Sequence, residues 1–258
     1  MDVDFGKTAE DYRTHRAGFP ASFFERLGSY GIGTSGQRIV DLGTGTGTLA
    51  RGLARRGCEV IGIDPAAAML AQARCLDREA GVTVEYRQAR AEDTGLPADH
   101  ADVVTAGQCW HWFDRAAAAH EAARVLRAGG RMVIAHFDWI PLPGNVVRAT
   151  EELIETFNGS WKFGNLIGIH PPWLRDLGEA GFDAIETFSY DVDVAYTPVA
   201  WRGRIRASAG VGASLPPSEV CRFDRALTKL LSERFPEPAL SIPHRVFAVI
   251  AVNPPRAA

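Results

Sequence analysis

No two of the four cysteines in this 258-residue chain stand close enough in sequence for a CxxC pair. Cys58, Cys75, Cys109 and Cys221 therefore supply neither a zinc knuckle nor a disulfide framework, and they read as reduced, buried thiols of a cytosolic protein. No metal-ligand set stands out either. There is no excess of one charge: the formal net charge is −3, which gives no electrostatic case for a nucleic-acid partner. No uncharged run is long enough to span a bilayer. The start, Met1-Asp2-Val3-Asp4-Phe5, is acidic and lacks the apolar stretch of a signal peptide. Internal repeats are missing, and so is any low-complexity tract beyond short alanine runs. The expectation is a cytoplasmic protein with no membrane and no nucleic-acid role.

What is present is an apolar content of 46%, enough for a substantial core, in a length that suits one large domain or one domain with a sizeable insertion. A β-rich run, Arg38-Ile39-Val40, ends at Asp41 and is followed by Gly43, Gly45 and Gly47. The helix-forming run Leu49–Arg56 comes next. Strand, tight glycine turn and helix bring backbone close to a nucleotide-like ligand. The bland alternative is an ordinary glycine turn. A dinucleotide fingerprint needs a third glycine where Thr48 stands, so G-x-G-x-x-G fails. The string is instead D-x-G-x-G-x-G, complete from Asp41 to Gly47. It resembles the cofactor loop of class I S-adenosylmethionine-dependent methyltransferases, in particular a small-molecule, type 11-like subgroup.

Further along, Glu59–Ile63 is a short apolar run ending at Asp64. That acid lies roughly 20 residues past the glycines, where a carboxylate can accept ribose hydroxyls. It can equally cap the helical stretch 66–80, for which Pro65 suits the first turn. Val82–Gln88 alternates as a third strand and Ala101–Gln108 as a fourth. The resemblance implies that Ala91 and Glu92 hold the adenine, with Asp93 one register away. It implies cofactor contacts from Asp41, Gly43, Thr44, Gly45, Gly47, Asp64, Pro65, Met69, Gln108 and Trp110. It also puts Tyr12, in an amino-terminal arm spanning 1–30, against the cofactor's methionine part; the alternative is a helix cap with Tyr12 packed on the core.

The string Gln108-Cys109-Trp110-His111-Trp112-Phe113-Asp114 follows the fourth strand, at the end where open α/β sheets bind ligands. It resembles the Q-x-x-H-W-F-D of small-molecule methyltransferases and lacks the (D/N)-P-P-(Y/F/W) string of enzymes acting on amino groups of nucleic-acid bases. Asp114 should cap a helix over 115–127, and Leu126-Arg127-Ala128-Gly129-Gly130 should turn into a fifth strand at 131–139. A sixth strand is expected at 183–196 and a final one at 244–253. The implied fold is a doubly wound, Rossmann-like, seven-stranded sheet of order 3-2-1-4-5-7-6 with the last strand antiparallel. In domain terms, one methyltransferase domain would fill 1–258. Its cofactor core would lie at 38–139, with substrate-side insertions at 140–180 and 197–235.

The implied reaction is methyl transfer from S-adenosylmethionine to O, N or C of a small organic acceptor. Histidine titrates near neutral pH without perturbation, so His111 is the leading candidate for a base, or else a residue that only positions. His136 and His170 are rivals. With His15, Trp112, Trp139 and Trp161 they make up the candidate acceptor pocket, in a monomer or homodimer. The alternatives are a catalytically silent S-adenosylmethionine-binding regulator and an NAD-dependent oxidoreductase, which Thr48 disfavours.

Overall fold

The computed structural model describes residues 17–162 and 164–255. After helix α1 (Ala21–Ser29), strands β1 (Arg38–Leu42), β2 (Glu59–Ile63), β3 (Glu85–Arg87), β4 (Ala101–Gly107) and β5 (Leu126–Trp139) alternate with helices. These are α2 (Thr48–Ala54), α3 (Ala67–Ala80) and α4 (Arg115–Val125). Then follow α5 (Val146–Phe157), α6 (Pro172–Glu179), β6 (Asp183–Tyr196), α7 (Pro198–Arg206), α8 (Pro217–Arg234) and β7 (Leu240–Val252). The strands form one sheet of order β3-β2-β1-β4-β5-β7-β6, as expected. Pairings among β1 to β5 are parallel. Between β5 and β7, Gly129 N–H donates to Asn253 O and Ile140 N–H to Pro243 O. One strand ascends while the other descends, so this pair is antiparallel.

The central strands are apolar because both faces are covered. In β1 every residue after Arg38 is buried, and in β4 only Asp102 and Gly107 are partly open. Three boundaries depart from expectation. Only Glu85–Arg87 pairs with β2, because β3 is an edge strand; Val84 packs instead on Leu70, Ala73 and Tyr86. The fifth strand begins at Leu126 rather than Arg131. Ala101 pairs with Leu126 and Val103 with Arg131, so the glycine pair is taken up as a bulge. Gly130 is required there, since a Cβ would stand 2.9 Å from Arg127 O. The final strand starts at Leu240, and Pro243, whose carbonyl bonds Ile140, lies within it.

The chain falls into two compact units. The larger comprises Gly18–Phe137, His170–Tyr190 and the residues from Val246 on. The smaller includes Asp138–Ile169 and Asp191–Arg245. It has its own core, in which Val147, Ile154, Trp201, Ile205, Val211, Phe223, Leu227 and Ile242 are buried together. No helix among the described residues is long and apolar enough to cross a membrane.

Candidate active site

The glycine loop is built from Asp41 outward. Its carboxylate is buried and accepts hydrogen bonds from the hydroxyls of Thr44 and Thr105, each at 2.7 Å. Burial pushes its pKa up to about 6, against the lowering effect of those two bonds. Asp41 thus locks the loop to β4 through Thr105. Thr44 N–H donates to Ile63 O, which ties the loop to the end of β2.

The three glycines of the loop have φ of +61°, +57° and +77°, the left-handed region. Their surroundings differ. A Cβ on Gly43 would meet Cys109 and Phe113 at 2.8 Å, and one on Gly47 would meet the Tyr86 hydroxyl at 2.2 Å. Those two glycines are required by packing within the protein. A Cβ on Gly45 would touch only the Met69 methyl, at 3.4 Å. Gly45 is therefore the place where the loop backbone is left uncovered.

Asp64 stands beside it. One oxygen accepts Gly45 N–H and the other accepts Ala66 N–H, both at 2.9 Å. Burial raises its pKa, with these two bonds opposing the rise. Asp64 therefore holds the backbone just ahead of α3, whose N-cap is Ala66 and which receives no side-chain cap, so the capping expectation is not met. Pro65 is exposed, and its carbonyl accepts from Gln88. Ala91 is buried; Glu92 accepts Asp114 N–H at 2.9 Å and pairs with Arg90 at 3.3 Å.

The Q-x-x-H-W-F-D string leaves β4 through Gln108, whose φ is +62° and whose N–H donates to Ala135 O. A non-glycine residue there is uncommon and turns the chain sharply at the strand end. Trp110 is fully buried, and its indole N–H donates to Asp176 of α6 at 2.9 Å; Arg115 pairs with the same carboxylate at 3.2 Å. The next residue, His111, reaches His136 on β5, with ring centroids 5.1 Å apart. His136 in turn lies 4.7 Å from His170, which stacks flat on Trp173 at 4.0 Å. Phe247 backs His170 and Trp173. Trp112 is 39% exposed beside His111. Three imidazoles far apart in sequence are thus gathered in one aromatic-walled cluster of the larger unit.

In the smaller unit, Trp139 donates to Glu151 at 2.8 Å beneath the Arg204 guanidinium, and Trp161 is packed in the core against Ile154 and Gly210. Tyr12 and His15 lie outside the described residues.

Residues 40–134 match the family model described as a methyltransferase domain. That match covers the glycine loop, Asp64, Ala91, Glu92 and His111. By that match this stretch is a methyltransferase domain. The chain is 34% identical over 132 residues to the uncharacterized methyltransferase Rv3342 of Mycobacterium tuberculosis, covering 51% of each chain. The chain therefore spans about half the length of that curated relative. Among solved structures, a protein of Anaeromyxobacter dehalogenans named as a candidate type II methyltransferase superposes with a TM-score of 0.66, at 23% identity over 93% of this chain and 99% of the other. The phosphoethanolamine N-methyltransferase 2 of Haemonchus contortus, solved with phosphomonomethylethanolamine and S-adenosylhomocysteine, gives 0.58 at 20% identity, over 98% of this chain and 61% of the other. These likenesses show the fold.

The larger unit also contains residues that the sequence pattern did not single out. Asp176 carried no signal, because its partner Trp110 is distant in sequence. Tyr86, Asp77 and Arg51 sat in ordinary strand and helix patterns, where nothing marks a buried polar group.

Proposed function

We propose that this chain is a methyltransferase that uses S-adenosylmethionine and methylates an oxygen, nitrogen or carbon of a small organic acceptor. One observation carries the reading. Of the three loop glycines, only Gly45 faces no protein group closer than a flexible methyl, and its N–H is held by Asp64. A bare backbone beside a carboxylate fits the adenosyl and ribose parts of that cofactor. The S-adenosylhomocysteine held by the Haemonchus neighbour supports the choice by likeness of fold.

When bound, S-adenosylmethionine supplies a methyl group already activated by sulfonium charge, so the chain has chiefly to align and to exclude water. Ala91 and Glu92 are the proposed adenine contacts, and Asp41 and Thr44 keep the loop in shape from below. Where the acceptor must lose a proton, His111 takes it on a ring nitrogen, with His136 and His170 beside it. The aromatic walls suit an acceptor with an apolar body. Of the four free cysteines, which the sequence pattern expected to be buried, Cys58 and Cys109 are, whereas Cys75 is half-buried and Cys221 exposed.

Calorimetry with S-adenosylhomocysteine and with NAD tests the cofactor, and mass spectrometry of a metabolite extract incubated with S-adenosylmethionine tests the transfer. Binding of NAD alone would reject the reading; binding of S-adenosylhomocysteine with no methylated product would leave a silent binding protein. With an acceptor in hand, His111→Asn should lower kcat about 100-fold or more and remove the acid limb of the pH–rate profile. A change confined to KM would assign His111 to positioning.

A further inference from the structure

Beneath the glycine loop lies a buried polar cluster that the proposed chemistry does not use. Arg51, on α2, has a side chain 12% exposed and pairs through Nε with Asp77 of α3 at 2.8 Å; Asp77 is 6% exposed. The other end of the same guanidinium reaches back to the loop, where Nη2 donates to Thr46 O at 2.7 Å and to Ala73 O at 3.3 Å. Tyr86 of β3 completes the floor. Its hydroxyl fills the place a Gly47 side chain would need, and its ring fills the place of one on Gly62.

Burying an ion pair is a poor source of stability, and apolar residues of similar size often do as well or better. Such a pair therefore invites a reason other than stability. Here the geometry supplies one. Asp77 fixes the guanidinium from α3, and the guanidinium holds the carbonyl between Gly45 and Gly47, adjoining the bare stretch of the loop. Only a side chain with several donors in a rigid fork can bind a carboxylate on one edge and two carbonyls on the other.

We propose that Arg51, oriented by Asp77, is a positioning residue that sets the loop for the adenosyl cofactor. This rests on the cofactor reading given above. Arg51 touches neither cofactor nor acceptor; it acts through the Thr46 carbonyl. Two variants separate positioning from mere structure. Arg51→Lys keeps a positive charge for Asp77 but has no second arm for Thr46 O. The double variant Arg51→Met with Asp77→Leu removes the buried pair altogether and leaves no uncompensated charge.

The test is calorimetry with S-adenosylhomocysteine on the full chain, alongside thermal melts and steady-state kinetics in S-adenosylmethionine. Wild type should bind. Both variants should stay folded, bind about tenfold more weakly, and recover wild-type kcat at saturating cofactor, as expected for loss of one charge-assisted hydrogen bond. Failure of wild type itself to bind would sink the cofactor reading and this inference with it. Wild-type binding together with unchanged affinity in Arg51→Lys would overturn the inference alone, whatever happens to the melting temperature. Should the double variant fail to fold, Arg51→Lys still decides the question.

Discussion

At the scale of single residues, the loop glycines separate folding from binding. Gly47 has positive φ and lies against the Tyr86 hydroxyl, so Gly47→Ala must strain the backbone and displace a buried ring. A loss of roughly 1–3 kcal/mol in unfolding free energy follows, measured by urea titration. Gly45→Val shares the strain of a positive φ but meets only a movable methionine methyl, so what it loses beyond that strain falls on the ligand. S-adenosylhomocysteine affinity should drop by at least about tenfold, from lost close approach. Equal losses of stability and unchanged affinity in both variants would contradict the division of roles. That the loop mattered was legible in D-x-G-x-G-x-G. Which glycine served what was not, because the answer lies with Cys109, Phe113 and Tyr86, each brought in by another strand or turn.

Helices and strands were legible wherever local pattern settles them. The alternation from Asp183 to Tyr196 coincides with β6, and Asp114 does cap α4, accepting Ala117 N–H. Pattern failed where long-range pairing decides. The start of β5 depends on Asn253, whose side-chain amide donates to Ala123 O and Leu126 O, and β7 runs through a proline that local rules would exclude. Helix α6 is a further case. Its position beside the His111 turn rests on Asp176, which accepts from the fully buried Trp110 indole. Asp176→Ala would leave that N–H buried without its partner. The expected cost is about 1–3 kcal/mol in chemical unfolding. Asp176→Asn keeps an acceptor for the indole and should recover most of the loss. If alanine and asparagine behave alike, Trp110 does not depend on this bond.

Across the whole molecule, the strand order could be read from one sequence because the family resemblance carried it. The electrostatics could not, and they predict a pH response with two opposing parts. At Asp102, Glu121 and Asp224 burial raises the pKa, but their arginine partners outweigh it; Asp191 is lowered by its hydrogen bond to Arg245. For these four the folded pKa lies below the unfolded one, so their stabilisation is present above the usual carboxylate range and is lost as pH falls through it. Asp41 works the other way. Its folded pKa is raised from 3.8 to about 6, so the folded state holds the proton more tightly, and stability is lost as pH rises between those values. The two parts can be separated by comparing wild type with Asp41→Asn, which cannot ionise. Since all other groups are shared, the difference in unfolding free energy between variant and wild type should move in favour of asparagine by about 2 kcal/mol from pH 4 to pH 7. Whatever asparagine costs in its bonds to Thr44 and Thr105 is a constant offset, so the slope alone is diagnostic. Urea titrations at four or five pH values give it directly, and a flat difference would mean that Asp41 ionises in the folded protein as easily as in the unfolded chain.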